Sequence, residues 1–392
     1  MTEKEQKLLA RELLSLSVFR EVLDAPAMRA FVNYLCADGG TDEKARYLGE
    51  FVYSLAPFDC SFSNFLVRAV CENENPYVVG EAKGKTPSAS LSANARAELA
   101  LFSRLSALDP SSLFFAGDGY VPVFESTPTD FVSLFFERVG KIEKYGYGVF
   151  ASATMFRVED GKILPVDAPD EITLDDFVGY EDERQKVLDN TAALLSGRPA
   201  ANVLLYGDAG TGKSSTVKAI ANHFAPEGLR LIELRKNQLL ELPLVMGRIK
   251  DNPLKFIIFI DDLSFNKNDD AFSMLKAALE GSASAVAENA LIYATSNRRH
   301  IVKESFSDRE NADDVHHNDT VAELMSLSDR FGLTVYFERP AKALYLDIVR
   351  RLAERAGVDM ERAELERRAE VFALAKGSRS PRGAEQFIDS LL

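Results

Sequence analysis

The chain has 392 residues, 46% hydrophobic and 27% charged, the balance of a soluble globular protein with room for two or three domains. A formal net charge of -14 argues against a general nucleic-acid coat or a binder of anionic membranes, and leaves room only for a local basic patch. Cys36, Cys60 and Cys71 lack C-x-x-C spacing and read as buried reduced thiols; with no apolar leader after Met1 and no bilayer-length apolar run, the expectation is a cytoplasmic protein without membrane contact.

Residues 1–168 read as a mainly α-helical first domain. Leu8, Leu9, Leu13 and Leu14 recur at helical spacing, and Phe31, Leu35, Tyr47, Phe51, Leu55, Phe65 and Leu66 continue the pattern. Asn73–Pro76 and Gly84–Pro87 mark breaks, and helices are predicted over Ser90–Ala107 and Thr129–Glu143. Phe114-Phe115 and Phe135-Phe136 add aromatic bulk, read as core rather than as a partner surface. From Gly146 to Val158 the residues favour strand, Asp160-Gly161 supplies a hairpin turn before Ile163-Leu164, and Pro165–Pro169 reads as a linker.

A second domain, 169–339, alternates strands and helices, which implies a parallel sheet with helices on its faces. A helix over Glu181–Leu195 is followed by strands Val203–Tyr206, Arg230–Leu234, Lys255–Ile260, Leu291–Thr295 and Leu333–Phe337. After Pro340 the pattern is helical to the end, over Ala341–Ala356, Met360–Lys376 and Pro381–Leu392, giving a third segment, 340–392.

The chemistry gathers in the second domain. Gly207-Asp208-Ala209-Gly210-Thr211-Gly212-Lys213-Ser214 fits the phosphate-loop pattern G-x-x-x-x-G-K-[ST], between a buried strand and a helix predicted over Ser215–Phe224. Glycines let backbone N–H groups turn around a phosphate, and the helix start adds its positive dipole end. Lys213 would reach the β- and γ-phosphates, and the Ser214 hydroxyl would sit on Mg²⁺. The apolar run Phe256–Ile260 ends in Asp261 and Asp262, where open α/β sheets place ligands; Asp261 would hold Mg²⁺ and Asp262 would polarise the attacking water. Asn297, after the strand Leu291–Thr295, would orient that water, with Thr295 as a second candidate. Arg330, just before the last strand, would reach the γ-phosphate of a neighbouring subunit. Arg382 would point at the nucleotide from the helical tail, in competition with Arg379. Arg298-Arg299-His300 reads as a solvated basic turn, and the polar stretch Lys303–Thr320 as a partner-facing loop rather than a metal site.

These motifs occur in the order of an AAA+ ATPase, where they resemble Walker A, Walker B, sensor 1, arginine finger and sensor 2. Longer strings resemble the bacterial ATPases of domain of unknown function 815: Asn202–Gly207, Asp261–Phe265, Tyr293–His300 and Leu327–Gly332, with a weaker likeness at Glu74-Asn75-Pro76. The resemblance implies a P-loop core with a five-stranded parallel sheet in spatial order 5-1-4-3-2, a C-terminal helical lid, and Val178 and Gly179 at the adenine. Asp262 stands where many such ATPases carry Glu; the paired Asp resembles replication-initiator and helicase-loader relatives.

Two functions follow as expectations. One is an ATPase that uses Mg-ATP hydrolysis to remodel or load a protein client chosen by the first domain, working as a homo-oligomer through its cores. The other is a nucleotide-gated binding module with little turnover. A nucleic-acid-loading adaptor is disfavoured by the acidic charge and by the lack of a recognisable helix-turn-helix.

Overall fold

A computed structural model describes residues 1–37, 41–113, 120–263, 270–279, 287–297 and 330–392. The chain divides into two compact units, Met1–Ser152 and Ala153–Leu392.

The first unit is helical: α1 (Glu3–Leu14), α2 (Pro26–Cys36), α3 (Thr41–Ser54), α4 (Phe62–Cys71), α5 (Pro76–Ala82), α6 (Ala89–Ser106), α7 (Phe131–Val139) and α8 (Ile142–Tyr145). Local chemistry sets the helix starts. Thr2 and Glu5 form a capping box, while Ser61, Asn75, Ser88 and Asp130 accept from backbone N–H groups at the starts of α4 to α7. Pro26 and Pro76 occupy first helical turns, where the missing N–H costs nothing. The predicted helix 129–143 is two helices, interrupted after Gly140. Of the four leucines of α1, Leu9 and Leu13, four residues apart, turn inward beside Gln6 and Ala10, while Leu8 and Leu14 are exposed. Leucines and phenylalanines make up most of the core, with edge-to-face pairs such as Phe51–Phe62 (5.1 Å between ring centres) and Phe19–Phe102 (5.6 Å). The buried Glu98 carboxylate accepts from the backbone N–H groups of Ser17, Val18 and Phe19 and from the Ser17 hydroxyl. All three cysteines are free, and none is buried as expected: Cys36 ends α2 facing solvent, and Cys60 and Cys71 are half-buried. Phe114 and Phe115 lie outside the described residues.

The described residues of the second unit form seven strands: β1 (Met155–Glu159), β2 (Lys162–Pro165), β3 (Val203–Gly207), β4 (Leu229–Glu233), β5 (Lys255–Ile260), β6 (Ala290–Ser296) and β7 (Leu333–Phe337). They run in the order β2-β1-β4-β5-β6-β3-β7. The last five in chain order are parallel and lie β7-β3-β6-β5-β4, the predicted 5-1-4-3-2 arrangement. The strand count corrects the expectation of five. The hairpin turns on Asp160 and Gly161, both at positive φ, and β1 then pairs in parallel with β4, extending the sheet. The sequence reading placed this hairpin in the first domain, before a linker; its ladder partner β4 makes it part of the second unit. Tyr147 to Phe150, read as strand, include a short 3₁₀ turn instead.

Helices α9 (Glu181–Leu195), α10 (Lys213–Phe224), α11 (Leu242–Ile249) and α12 (Asp270–Leu279) connect these strands. β5 is buried from Phe256 to Ile260 and β6 throughout, as central strands covered on both faces must be. The chain ends in α13 (Lys342–Ala356), α14 (Arg362–Ala375) and α15 (Pro381–Asp389), which enclose a small core of their own with Tyr345, Val349, Ala369, Ala384 and Phe387. Val178 belongs to that core, which ties the segment before α9 to the helical tail.

Candidate functional site

Strand order decides which loops meet. β6 lies between β5 and β3, so the residues that follow these three strands come together at one edge of the sheet. β3 ends at Gly207, whose φ of 140° suits glycine alone; a Cβ there would lie 2.0 Å from the Phe337 carbonyl oxygen at the end of β7. Gly210 and Gly212 also take positive φ, and α10 starts at Lys213. The loop therefore presents backbone along Asp208, Ala209 and Thr211, closed by a bond from the Thr211 hydroxyl to the Asp208 carbonyl (2.9 Å).

Lys213 is 6% exposed. Its Nζ donates to the carbonyls of Gly207 (3.0 Å) and Asp208 (2.7 Å) and to Asn297 Oδ1 (3.1 Å). Burial pushes the ammonium below the usual lysine range, against the pull of Asp208, Asp261 and Asp262; Arg382 adds to the push. Ser214 Oγ donates to Asp261 Oδ1 at 2.6 Å. Asn297 Nδ2 donates to Asp262 Oδ1 at 2.9 Å, so one amide links the lysine and the second carboxylate.

Thr295 has the largest share in shaping this edge. Its hydroxyl donates to Asp261 Oδ1 and accepts from the Asp262 N–H (2.9 Å), and its carbonyl accepts from the Leu263 N–H (2.7 Å). Ser296 Oγ donates to the Leu263 carbonyl at 3.0 Å. These bonds hold Asp262 at φ 50°, a left-handed conformation that Asp tolerates better than most side chains. Asp in place of Glu at 262 suits that turn.

Under α13 and α15 the site opens into a cleft of about 110 Å³. Gly210, Thr211, Gly212 and Ser215 form one wall, with Val178 and Tyr180 beyond them and Ile348 and Leu352 from α13 opposite. Gly179 takes a φ of 77°, which favours glycine, and a Cβ there would push on a terminal methyl of Leu344 at 2.8 Å. Arg382 lines the cleft, and its N–H donates to the Gly210 carbonyl at 3.2 Å. Arg379 is held elsewhere, by two 2.9 Å bonds to Glu370. The sequence reading missed Phe177, Arg184 and Glu385, which also line the cleft. The Arg184 guanidinium lies 4.8 Å from the Phe177 ring centre and donates to the Gly179 carbonyl. Burial pushes the Glu385 carboxyl above its usual range. The only sequence signal for Arg184 was its position in the first turn of α9.

Arg330 is not brought to this edge. It is half-buried in the turn before β7, whereas the phosphate loop follows the end of β3. β7 and β3 are parallel over five residues, so Arg330 lies about one strand length, roughly 16 Å, toward the opposite edge. Arg298–His300, Lys303–Thr320 and Leu327–Asp329 lie outside the described residues.

A phosphate loop after β3, paired carboxylates after β5, an asparagine after β6 and a helical tail above the loop define an AAA+ nucleotide-binding fold. Residues 151–392, more than half of the chain, match one family profile, and the protein belongs to that family, described as protein of unknown function DUF815. No curated protein matches the chain. Among solved structures it is similar to a point mutant of RuvB from Thermotoga maritima, with 18% identity and a TM-score of 0.38 over 56% of this chain and 63% of that one. A structure addressing katanin self-assembly shows 18% identity and a TM-score of 0.37 over 55% and 69% of the two chains. A DNA replication initiation factor shows 16% and 0.38 over 57% and 65%. The chain thus spans less than two thirds of the RuvB mutant's length.

Proposed function

We propose that the protein is an ATPase that couples Mg-ATP hydrolysis to the remodelling or loading of a partner chosen by its first unit. One observation carries the reading: Lys213, Ser214, Asp261, Asp262 and Asn297, from three strand ends, form one hydrogen-bonded set beside a glycine loop. The residues fit a magnesium-bound nucleotide. A Cβ at Gly207 would strike the Phe337 backbone and one at Gly210 would press on Ser380 and Arg382, so the glycines keep the loop in place, and the Ser214 hydroxyl and Asp261 carboxylate are the hard oxygen donors magnesium prefers. Bound there, the ion would neutralise charge on the phosphate oxygens.

In this reading Asp208 to Ser215 wrap the phosphates and Lys213 exchanges its carbonyl partners for phosphate oxygens. Val178 and Gly179 flank the base, and Arg382 reaches the nucleotide from α15. Asp262 accepts a proton from the attacking water, which Asn297 orients. Arg330 of a second copy completes the site in a homo-oligomer, in keeping with its distance from this chain's own loop. Lys213→Ala is expected to lower ATP affinity at least 100-fold, measured by calorimetric titration; unchanged affinity refutes the assignment.

The contact of Asn297 with Asp262 supports a second reading, a nucleotide-gated module with little turnover. An Asp carboxylate is one methylene shorter than Glu, and here the asparagine amide already engages it. Among the described residues no helix is long and apolar enough to cross a membrane.

A further inference from the structure

The first unit holds two cavities of its own, of about 870 Å³ and 500 Å³, and they share a wall made of Tyr53 and Ala56. Tyr53 is 82% exposed, so it stands between the two hollows as a ridge. A continuous pair of hollows astride an exposed aromatic fits an extended chain better than a compact metabolite. Among the described residues the smaller cavity has no charged side chain in its lining; Leu48, Val52, Val121 and Pro122 make it apolar. The larger one combines the apolar Phe58 and Phe65 with three carboxylates, Glu21, Glu72 and Glu74, and a single cation, Arg68. Arg68 is already committed, with its Nε 2.9 Å from Glu72 and its guanidinium 5.7 Å from the centre of the Phe58 ring. Three carboxylates against one cation leave the described lining of the larger hollow net negative beside an apolar floor.

We propose that this groove docks a peptide segment of a partner protein, seating an apolar side chain in the smaller hollow and a lysine or arginine, beside a second apolar residue, in the larger one. Charge complementarity selects this occupant: an acidic segment would meet Glu21 and Glu74, and a purely apolar one would bury them without a partner. The proposal gives the chemistry of the partner in the functional reading above, and it does not depend on turnover.

The test uses the full chain and fluorescein-labelled peptides of about 12 residues in which leucine alternates with lysine, glutamate or glutamine. The lysine peptide is expected to bind at least tenfold more tightly than either of the others by fluorescence anisotropy. The double variant Glu21→Gln with Glu74→Gln is expected to lose about tenfold. A control double variant, Glu43→Gln with Glu143→Gln, changes the net charge equally outside the groove and is expected to keep the wild-type affinity. Ala56→Trp, at an exposed position shared by both hollows, is expected to block binding while the circular dichroism of the chain stays unchanged. Equal binding of all three peptides, no binding, or a loss shared by the control variant would overturn the proposal. Self-association abolished by Ala56→Trp, without peptide binding, would assign the groove to a second copy and overturn it as well. ATP titration of each variant alongside separates failure here from failure of the nucleotide site.

Discussion

The two units use their carboxylates in opposite ways. In the first, Glu98 is buried and its oxygens are consumed by three backbone N–H groups and one hydroxyl, so it belongs wholly to the fold. In the second, Asp261 and Asp262 stay exposed at the mouth of a buried strand, and their carboxylates bond mostly to side chains, Ser214, Thr295 and Asn297, with one backbone N–H, that of Asp262, on Asp261. A polar group satisfied by backbone holds structure and has no capacity left for chemistry. One satisfied by movable side chains costs less to engage with a new partner.

This contrast can be broken or sharpened in order of expected effect. The largest change should come from Arg330→Ala, which leaves ATP binding intact and lowers turnover by about 10³–10⁵-fold; normal turnover at every protein concentration would remove Arg330 from the site. Next, Glu98→Ala strands several buried N–H groups and should destabilise the first unit by about 3 kcal/mol, seen as a lower thermal midpoint in calorimetry. The same variant should titrate ATP like the wild type; a matching loss of ATP affinity would blur the distinction drawn here. The smallest effect is expected from Thr295→Val, which keeps the shape and removes the hydroxyl that holds the Asp261 carboxylate and the Asp262 N–H. Turnover should fall about tenfold, ~1.4 kcal/mol in the barrier, with nucleotide affinity retained. Thr295→Ser should restore it, and equal loss in both variants would mean that the methyl group, rather than the hydroxyl, matters.

The geometry of the candidate site was legible where a fixed spacing is needed. Glycines that must take positive φ, a lysine at the helix start and carboxylates after an all-apolar strand leave a pattern in the sequence, and β5 and β7 were bounded to the residue. The hairpin β1–β2 was recognised, but not its attachment to β4: pairing with a strand some 70 residues on leaves no local signal. Arg382 and Arg379 could not be separated in sequence because the decision rests on Glu370, nine residues from Arg379 on a neighbouring helix. Arg184 went unread for a similar reason. A cation in a first helical turn looks solvent-facing until Phe177 packs on it. The first unit gave helices but no chemistry, since an aromatic core and N-caps describe stability alone.

The central claim is that the site hydrolyses ATP and is completed by a second copy. The most direct test is the rate of ATP hydrolysis per subunit as protein concentration rises, with Asp262→Asn measured in parallel. The account predicts a specific rate that climbs with concentration and vanishes in the variant. ATP binding with negligible turnover at all concentrations, or a rate that Asp262→Asn leaves unchanged, would contradict it.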